Sequence, residues 1–200
     1  MFTQRTTSEL FPVPLWGFDL DNSKEVNTSI ENRVYQKSKN EKTRHASNEG
    51  GWHSEGNMSD DPVMKSLLRF IEWAVGELST ESGMKYSTYK IFLWTNLNRP
   101  GDYNSMHSHP DSQLSGVYYV KIPSGDCGTL RLYNPMYHYN YPNSQGYNIP
   151  FTTPTADVIN KEGSLYIFRS PIMHDVTRNN TQEDRISVSF NIVFDSNLYK

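Results

Sequence analysis

The ten residues RISVSFNIVF, 185 to 194, restrict the fold more than any other segment. Ile186, Val188, Phe190, Ile192 and Phe194 alternate with Arg185, Ser187, Ser189, Asn191 and Val193. A period of two sends the apolar set to one face of a strand and the polar set to the other. The apolar face must be buried. The polar face, which opens with an arginine, either meets water or lines a wet cavity inside a barrel. On alternation alone, water is the commoner fate of such a face in an antiparallel sheet.

Four more short segments carry strand composition: TYKIFLWTNL, LSGVYYVKI, GTLRLYN and GSLYIFR, separated by Gly, Pro, Asn and Asp clusters. Strands spaced in this way predict a sandwich or barrel. Two helices are predicted upstream. Residues 22 to 38 are polar with sparse apolar spacing. Residues 61 to 79 place Val63, Leu67, Leu68, Ile71, Ala74, Val75 and Leu78 at helical intervals behind Asp60, Asp61 and Pro62. SNEGGWHSEGN between them reads as an irregular or edge segment. The expected class is mainly β with flanking helices that cover one face of the strand structure. No repeat or linker divides the 200 residues. They read as one domain, 1–200, with helical support over roughly 1–85 and a strand core over roughly 86–200.

A net charge of -3 gives no basic footprint and argues against a nucleic-acid partner. At 13% of the chain, aromatic residues are too many for a disordered segment. No stretch approaches the roughly 18 apolar residues of a membrane span. The single cysteine, Cys127, cannot close an internal disulfide. Together these predict a soluble, cytoplasmic protein.

Six histidines are present, and His107 and His109 stand apart from the others in MHSHPDSQLSGVYY. On a strand, residues two apart point the same way, so His107, His109 and Asp111 would share one side. Imidazole suits iron, zinc, copper and nickel, and a carboxylate adds hard oxygen character. By itself H-x-H is a weak signal. His174 strengthens it, because it follows the strand SLYIFR and Pro171, and Arg185 comes eleven residues later on the polar face of the last strand. A guanidinium there could hold a carboxylate through two parallel hydrogen bonds, with Ser187 as a third donor. Arg131 in GTLRLYN is a rival anchor. His45 reads as exposed and His138 as no ligand. Trp52 and His53 could join the rim of the site.

HSHPDSQLSGVYYV, GSLYIFRSPIMHDV and RISVSFNI together resemble the 2-oxoglutarate/Fe(II)-dependent oxygenases. More narrowly they resemble a group of such oxygenases from marine bacteria and phages, as do FPVPLW and SNEGGWHS. The resemblance implies a double-stranded β-helix, the cupin-like jelly roll, in a host cytoplasm if the protein is phage-encoded. It implies Fe(II) held either by His109, Asp111 and His174, the superfamily's H-x-D pattern, or by His107, His109 and His174. The narrower group specifies the second set. It also implies 2-oxoglutarate as cosubstrate, its far carboxylate on Arg185 and Ser187, with O2 consumed and succinate and CO2 released as a substrate is hydroxylated. Tyr118 and Tyr119 fall on opposite faces of their strand, and Tyr118 is assigned to the cosubstrate. Asn96, with Asn98 and Asn104 nearby, is assigned to the same pocket.

Residues 133 to 151 hold six aromatic side chains in a patternless stretch that reads as a flap beside the metal mouth or as a loop on the barrel surface. Rival readings are a cupin-type metal enzyme that uses no 2-oxoglutarate, and a jelly-roll binding or structural protein. A homodimer is compatible with the sequence, and the substrate is left open.

Overall fold

The apolar periodicities close two antiparallel sheets against each other, with both helices on the outside of one of them. The computed structural model describes residues 13–136 and 153–195. The larger sheet has the order β1 (Leu15–Asp19), β9 (Ser164–Arg169), β6 (Leu114–Lys121), β11 (Arg185–Phe194), β4 (Tyr89–Asn98) and β3 (Trp52–His53). The smaller has the order β2 (Asn48–Glu49), β5 (Tyr103–His107), β10 (His174–Val176), β7 (Leu130–Tyr133) and β8 (Thr155–Asp157). This is the double-stranded β-helix, or jelly roll.

The predicted helices are present as α1 (Lys24–Asn40) and as α2 (Lys65–Ser82), which follows a 3-10 turn over Pro62–Met64. Asp61 starts that turn by accepting a hydrogen bond from the Val63 amide at 3.1 Å. Gly83, at φ 68°, ends α2 in the left-handed conformation that glycine adopts without strain. Glu25 in the first turn of α1 and Lys37 and Lys39 in its last complement the helix dipole. Leu67, Ile71, Ala74, Val75 and Leu78 of α2 and Ile30 and Val34 of α1 are fully buried against Ile186, Val188, Phe190 and Ile192 of β11. Each such aliphatic side chain contributes about 1.5–3 kcal/mol by leaving water.

Several short strands lie outside the five segments of strand composition, β2 and β3 among them within the stretch read as irregular or edge. Leu15–Asp19 pairs with β9 despite the prolines before it. SNEGGWH supplies β2 to the smaller sheet and β3 to the larger, so this short segment steps from one sheet to the other. Gly50 and Gly51 make that step at φ 74° and 65°.

Candidate metal centre

Register decides what points between the sheets. β11 lies between β4 and β6, pairing Arg185 with Asn98, Ser187 with Asn96 and Tyr119, and Ser189 with Trp94 and Val117. All of these but Asn98 line a cavity of about 380 Å³ between the two sheets. At its Arg185 and Ser187 end the polar face of β11 therefore turns into this cavity and not to bulk water, against the commoner fate of such a face. Arg185 and Ser187 are 2% and 3% exposed.

His107 closes β5 and sits opposite His174 at the start of β10, which brings their ring centroids to 4.3 Å. His109 follows in the turn, its amide donating to the Ser170 carbonyl at 3.0 Å. Its ring centroid lies 5.0 Å from His107 and 5.2 Å from His174. One nitrogen of each ring lies within 4.8 Å of one nitrogen of both others. Asp111 is outside this cluster. β5 ends at His107, and the turn that Ser112 N closes onto the His109 carbonyl leaves Asp111 exposed. The same-side rule for alternate residues holds only while the chain stays extended.

The rings suit a cation. His107 Nδ1 donates to the Ser105 carbonyl at 2.7 Å and His174 Nδ1 to the Ile172 carbonyl at 2.8 Å. Each bond fixes the tautomer and leaves Nε2 as an unprotonated donor, the usual outer arrangement of a metal-ligating histidine. Burial, then the neighbouring His107, pushes His109 down to about 4 and His174 down to about 3; burial also lowers His107. All three imidazoles are thus neutral at pH 7. In the unfolded chain they regain values near 6.5, so the unfolded state binds more protons below that pH. The metal-free protein should hold its full stability above about pH 6.5 and lose it progressively as the pH falls toward 3. Thermal unfolding in chelator between pH 7 and pH 4 measures this, and a flat profile would contradict it.

Arg185 is the second feature of the cavity. Its Nη1 donates to the Gly128 carbonyl and its Nη2 to Asn98 Oδ1, both at 3.1 Å. Its Nε is buried with no partner, and no carboxylate pairs with it among the described residues. Gly128, at φ 79°, is placed so that a side chain there would run into the Thr177 carbonyl, so the close approach requires glycine. The Tyr119 hydroxyl, on a residue 1% exposed, also lacks a partner among the described residues, and burial raises its pKa.

Tyr118 is corrected by the same register. It stands opposite Val188 on the helix side of the sheet, where its hydroxyl donates to Asn27 Oδ1 at 2.6 Å. Tyr119 faces the cavity instead. Arg131 is corrected as well: it lies on the outer face of β7, where its fork grips both oxygens of Asp157 at 2.8 and 3.1 Å. Asn96 lines the cavity and donates to Ser189 Oγ at 3.0 Å, and Asn104 lines it too. Asn98 acts by orienting Arg185. His45 is exposed. Trp52 is buried, its indole donating to the Glu41 carbonyl, while His53 reaches the cavity and stacks on Trp94 at 5.8 Å. His138 and the aromatic stretch from 137 onward lie outside the described residues, which resume at 153.

The family model described as "Putative 2OG-Fe(II) oxygenase" matches residues 92–191. The chain belongs to this family. The 2OG-Fe(II) oxygenase match runs from β4 to β11 and so takes in the histidine cluster and Arg185. No curated protein matches the chain in sequence. Among solved structures, a Pseudomonas putida prolyl-4-hydroxylase shares 12% identity at a TM-score of 0.67, covering 92% of this chain and 94% of its own. The epimerase SnoN from nogalamycin biosynthesis also shares 12% at 0.67, over 91% and 77%. HygX from Streptomyces hygroscopicus, with nickel and 2-oxoglutarate bound, shares 10% at 0.65, over 92% and 84%. At such identities these likenesses establish the jelly-roll fold of the 2OG-Fe(II) oxygenase. No helix among the described residues is long and apolar enough to cross a membrane.

Proposed function

We propose that the protein is a non-haem Fe(II) and 2-oxoglutarate-dependent dioxygenase that hydroxylates a substrate with release of succinate and CO2. One observation carries the reading: a buried guanidinium, whose Nε has no hydrogen-bond partner and which has no carboxylate partner among the described residues, shares a cavity with three neutral imidazoles. A buried charge without a partner is costly. A dicarboxylate cosubstrate relieves that cost with one end while its 2-oxo acid end lies near the imidazoles.

In this reading Nε2 of His107 and His174 and one ring nitrogen of His109 hold the iron. Bound there, iron supplies the activation of dioxygen and the one-electron chemistry that the side chains lack. The chain's own groups do the rest. Arg185 Nε points its proton at the cosubstrate's far carboxylate, Tyr119 and Ser187 add hydroxyl donors, and Asn98 keeps the guanidinium plane fixed. The carbonyls of Ser105 and Ile172 hold the two Nδ1 protons away from the metal side. Phe168, 5.0 Å from the His174 ring, and Trp94, 5.7 Å from the His109 ring, keep water off the cluster.

The all-histidine set also favours a second reading, a cupin-type metal enzyme that uses no 2-oxoglutarate. Adding 2-oxoglutarate to the Fe(II) protein under nitrogen separates the two. The dioxygenase develops a weak visible charge-transfer band and then releases succinate on admission of air. Neither signal arises in the cupin-type case.

A further inference from the structure

A second cavity, of about 330 Å³, abuts the first. The two share Ala46, His53, Trp94 and His109, so they meet on the His109 side of the cluster. Arg44, Asn57, Phe92 and Asn191 complete the distinctive part of its wall, and none of its described lining residues is acidic.

The wall has two chemistries. Trp94 stacks with the His53 ring at 5.8 Å and meets the His109 ring, tilted by 51°, at 5.7 Å, giving a continuous aromatic wall that leads to the metal centre. Phe92, two residues back on the same face of β4, extends it outward and is 41% exposed. Beside this surface, in the same wall, stand donors. The exposed Arg44 has no salt bridge among the described residues, and its amide donates to the His53 carbonyl at 3.0 Å. His53 Nδ1 donates to the Ser54 carbonyl at 2.7 Å, which leaves Nε2 uncommitted. Asn191 uses its amide oxygen to accept from Ser115 Oγ at 2.8 Å, so its amide nitrogen is free to donate.

We propose that this side chamber is the substrate subsite, and that it takes an oxyanion, a carboxylate or a phosphate monoester, carried on an aryl or apolar body. The oxyanion pairs with Arg44 beside Asn191, and the body lies on Trp94 and Phe92, directing its inner end past His109. The inference rests on the dioxygenase reading, which gives the first cavity to the cosubstrate and leaves the second for the substrate. A guanidinium fork suits either oxyanion geometry, and an aromatic surface holds an aryl body by offset stacking.

The test uses the full chain loaded with Mn(II) and 2-oxoglutarate, titrated with phenyl phosphate, benzoate and neutral benzyl alcohol and followed by tryptophan fluorescence. At least one anion is expected to give a saturable change, and benzyl alcohol none; the tighter of the two names the natural oxyanion. Arg44→Ala is expected to weaken anion binding at least about tenfold, the loss of one charge-assisted contact. Arg69→Ala, at an exposed arginine on α2, should leave it unchanged, and Trp94→Phe should remove the fluorescence change. Arg44→Ala should still bind 2-oxoglutarate with wild-type affinity. Equal anion binding in Arg44→Ala and wild type, or no saturable binding of either anion, overturns the proposal. Anion binding that depends on Arg44 in a protein that never binds 2-oxoglutarate upholds the oxyanion subsite and removes the dioxygenase reading instead.

Discussion

Arg185→Met should weaken 2-oxoglutarate binding roughly 150-fold, the equivalent of about 3 kcal/mol for lost hydrogen bonds between charged groups. Metal binding should survive, because Arg185 enters the cavity from β11 whereas the three imidazoles come from β5, the turn after it and β10. Stability should respond in an unusual way. Without cosubstrate, the substitution loses two hydrogen bonds, to Gly128 and Asn98, but also removes a buried cation that has no counter-charge among the described residues. The two effects oppose each other, so the melting temperature of the metal-loaded protein should move by only a few degrees. Saturating 2-oxoglutarate at about 100 times its Kd should then stabilise the wild type by about 2.7 kcal/mol and the variant hardly at all. Calorimetric titration and thermal unfolding with and without 2-oxoglutarate read both effects. Equal affinity in variant and wild type would move the cosubstrate's carboxylate elsewhere in the cavity.

His174→Ala should abolish stoichiometric metal binding. Losing an outer partner of a metal ligand costs roughly 10–100-fold in affinity, and losing a ligand from a set of three must cost more. His174 is also the most buried of the three rings, at 4% exposure, and its place opposite His107 creates the closest ring pair in the cluster. Asp111→Ala should bind the metal as the wild type does, since its side chain lies out on an exposed turn. Co(II) titration followed by its visible bands distinguishes the outcomes. If Asp111→Ala loses the metal while His107→Ala keeps it, the ligand set reverts to His109, Asp111 and His174.

The two tyrosines and the two arginines show where sequence reasoning reaches its limit. Alternation places Tyr118 and Tyr119 on opposite faces but does not say which face is inner. The answer comes from β11, because Ser187 stands opposite Tyr119 and Val188 opposite Tyr118, with an irregularity between Ile186 and Ser187 that shifts the pairing. A one-residue slip would exchange the two. Arg131 and Arg185 likewise both sit on alternating strands. Asp157, across from Arg131 on β8, takes that guanidinium on the outer face, and nothing in the spacing of GTLRLYN announces the pair. Asp111 was legible as a carboxylate at the right interval from His109. The turn that carries it away from the cluster is a matter of where β5 stops.

Local pattern alone determined the element types of the core: two amphipathic helices, a succession of short strands, one strand with a polar face, and three histidines with a distant arginine. Periodicity suffices for these because an apolar stripe at a period of 3.6 or 2 can be buried in only one way. Which side of each strand became the cavity, which tyrosine and arginine entered it, and where β1, β2 and β3 add to the sheet edges were decided only by tertiary structure. Those choices depend on inter-strand register and edge pairing. They are set by partners far away along the chain, 91 residues for Ser187 and Asn96 (187 − 96) and 153 for Leu15 and Phe168 (168 − 15), and no local pattern encodes them.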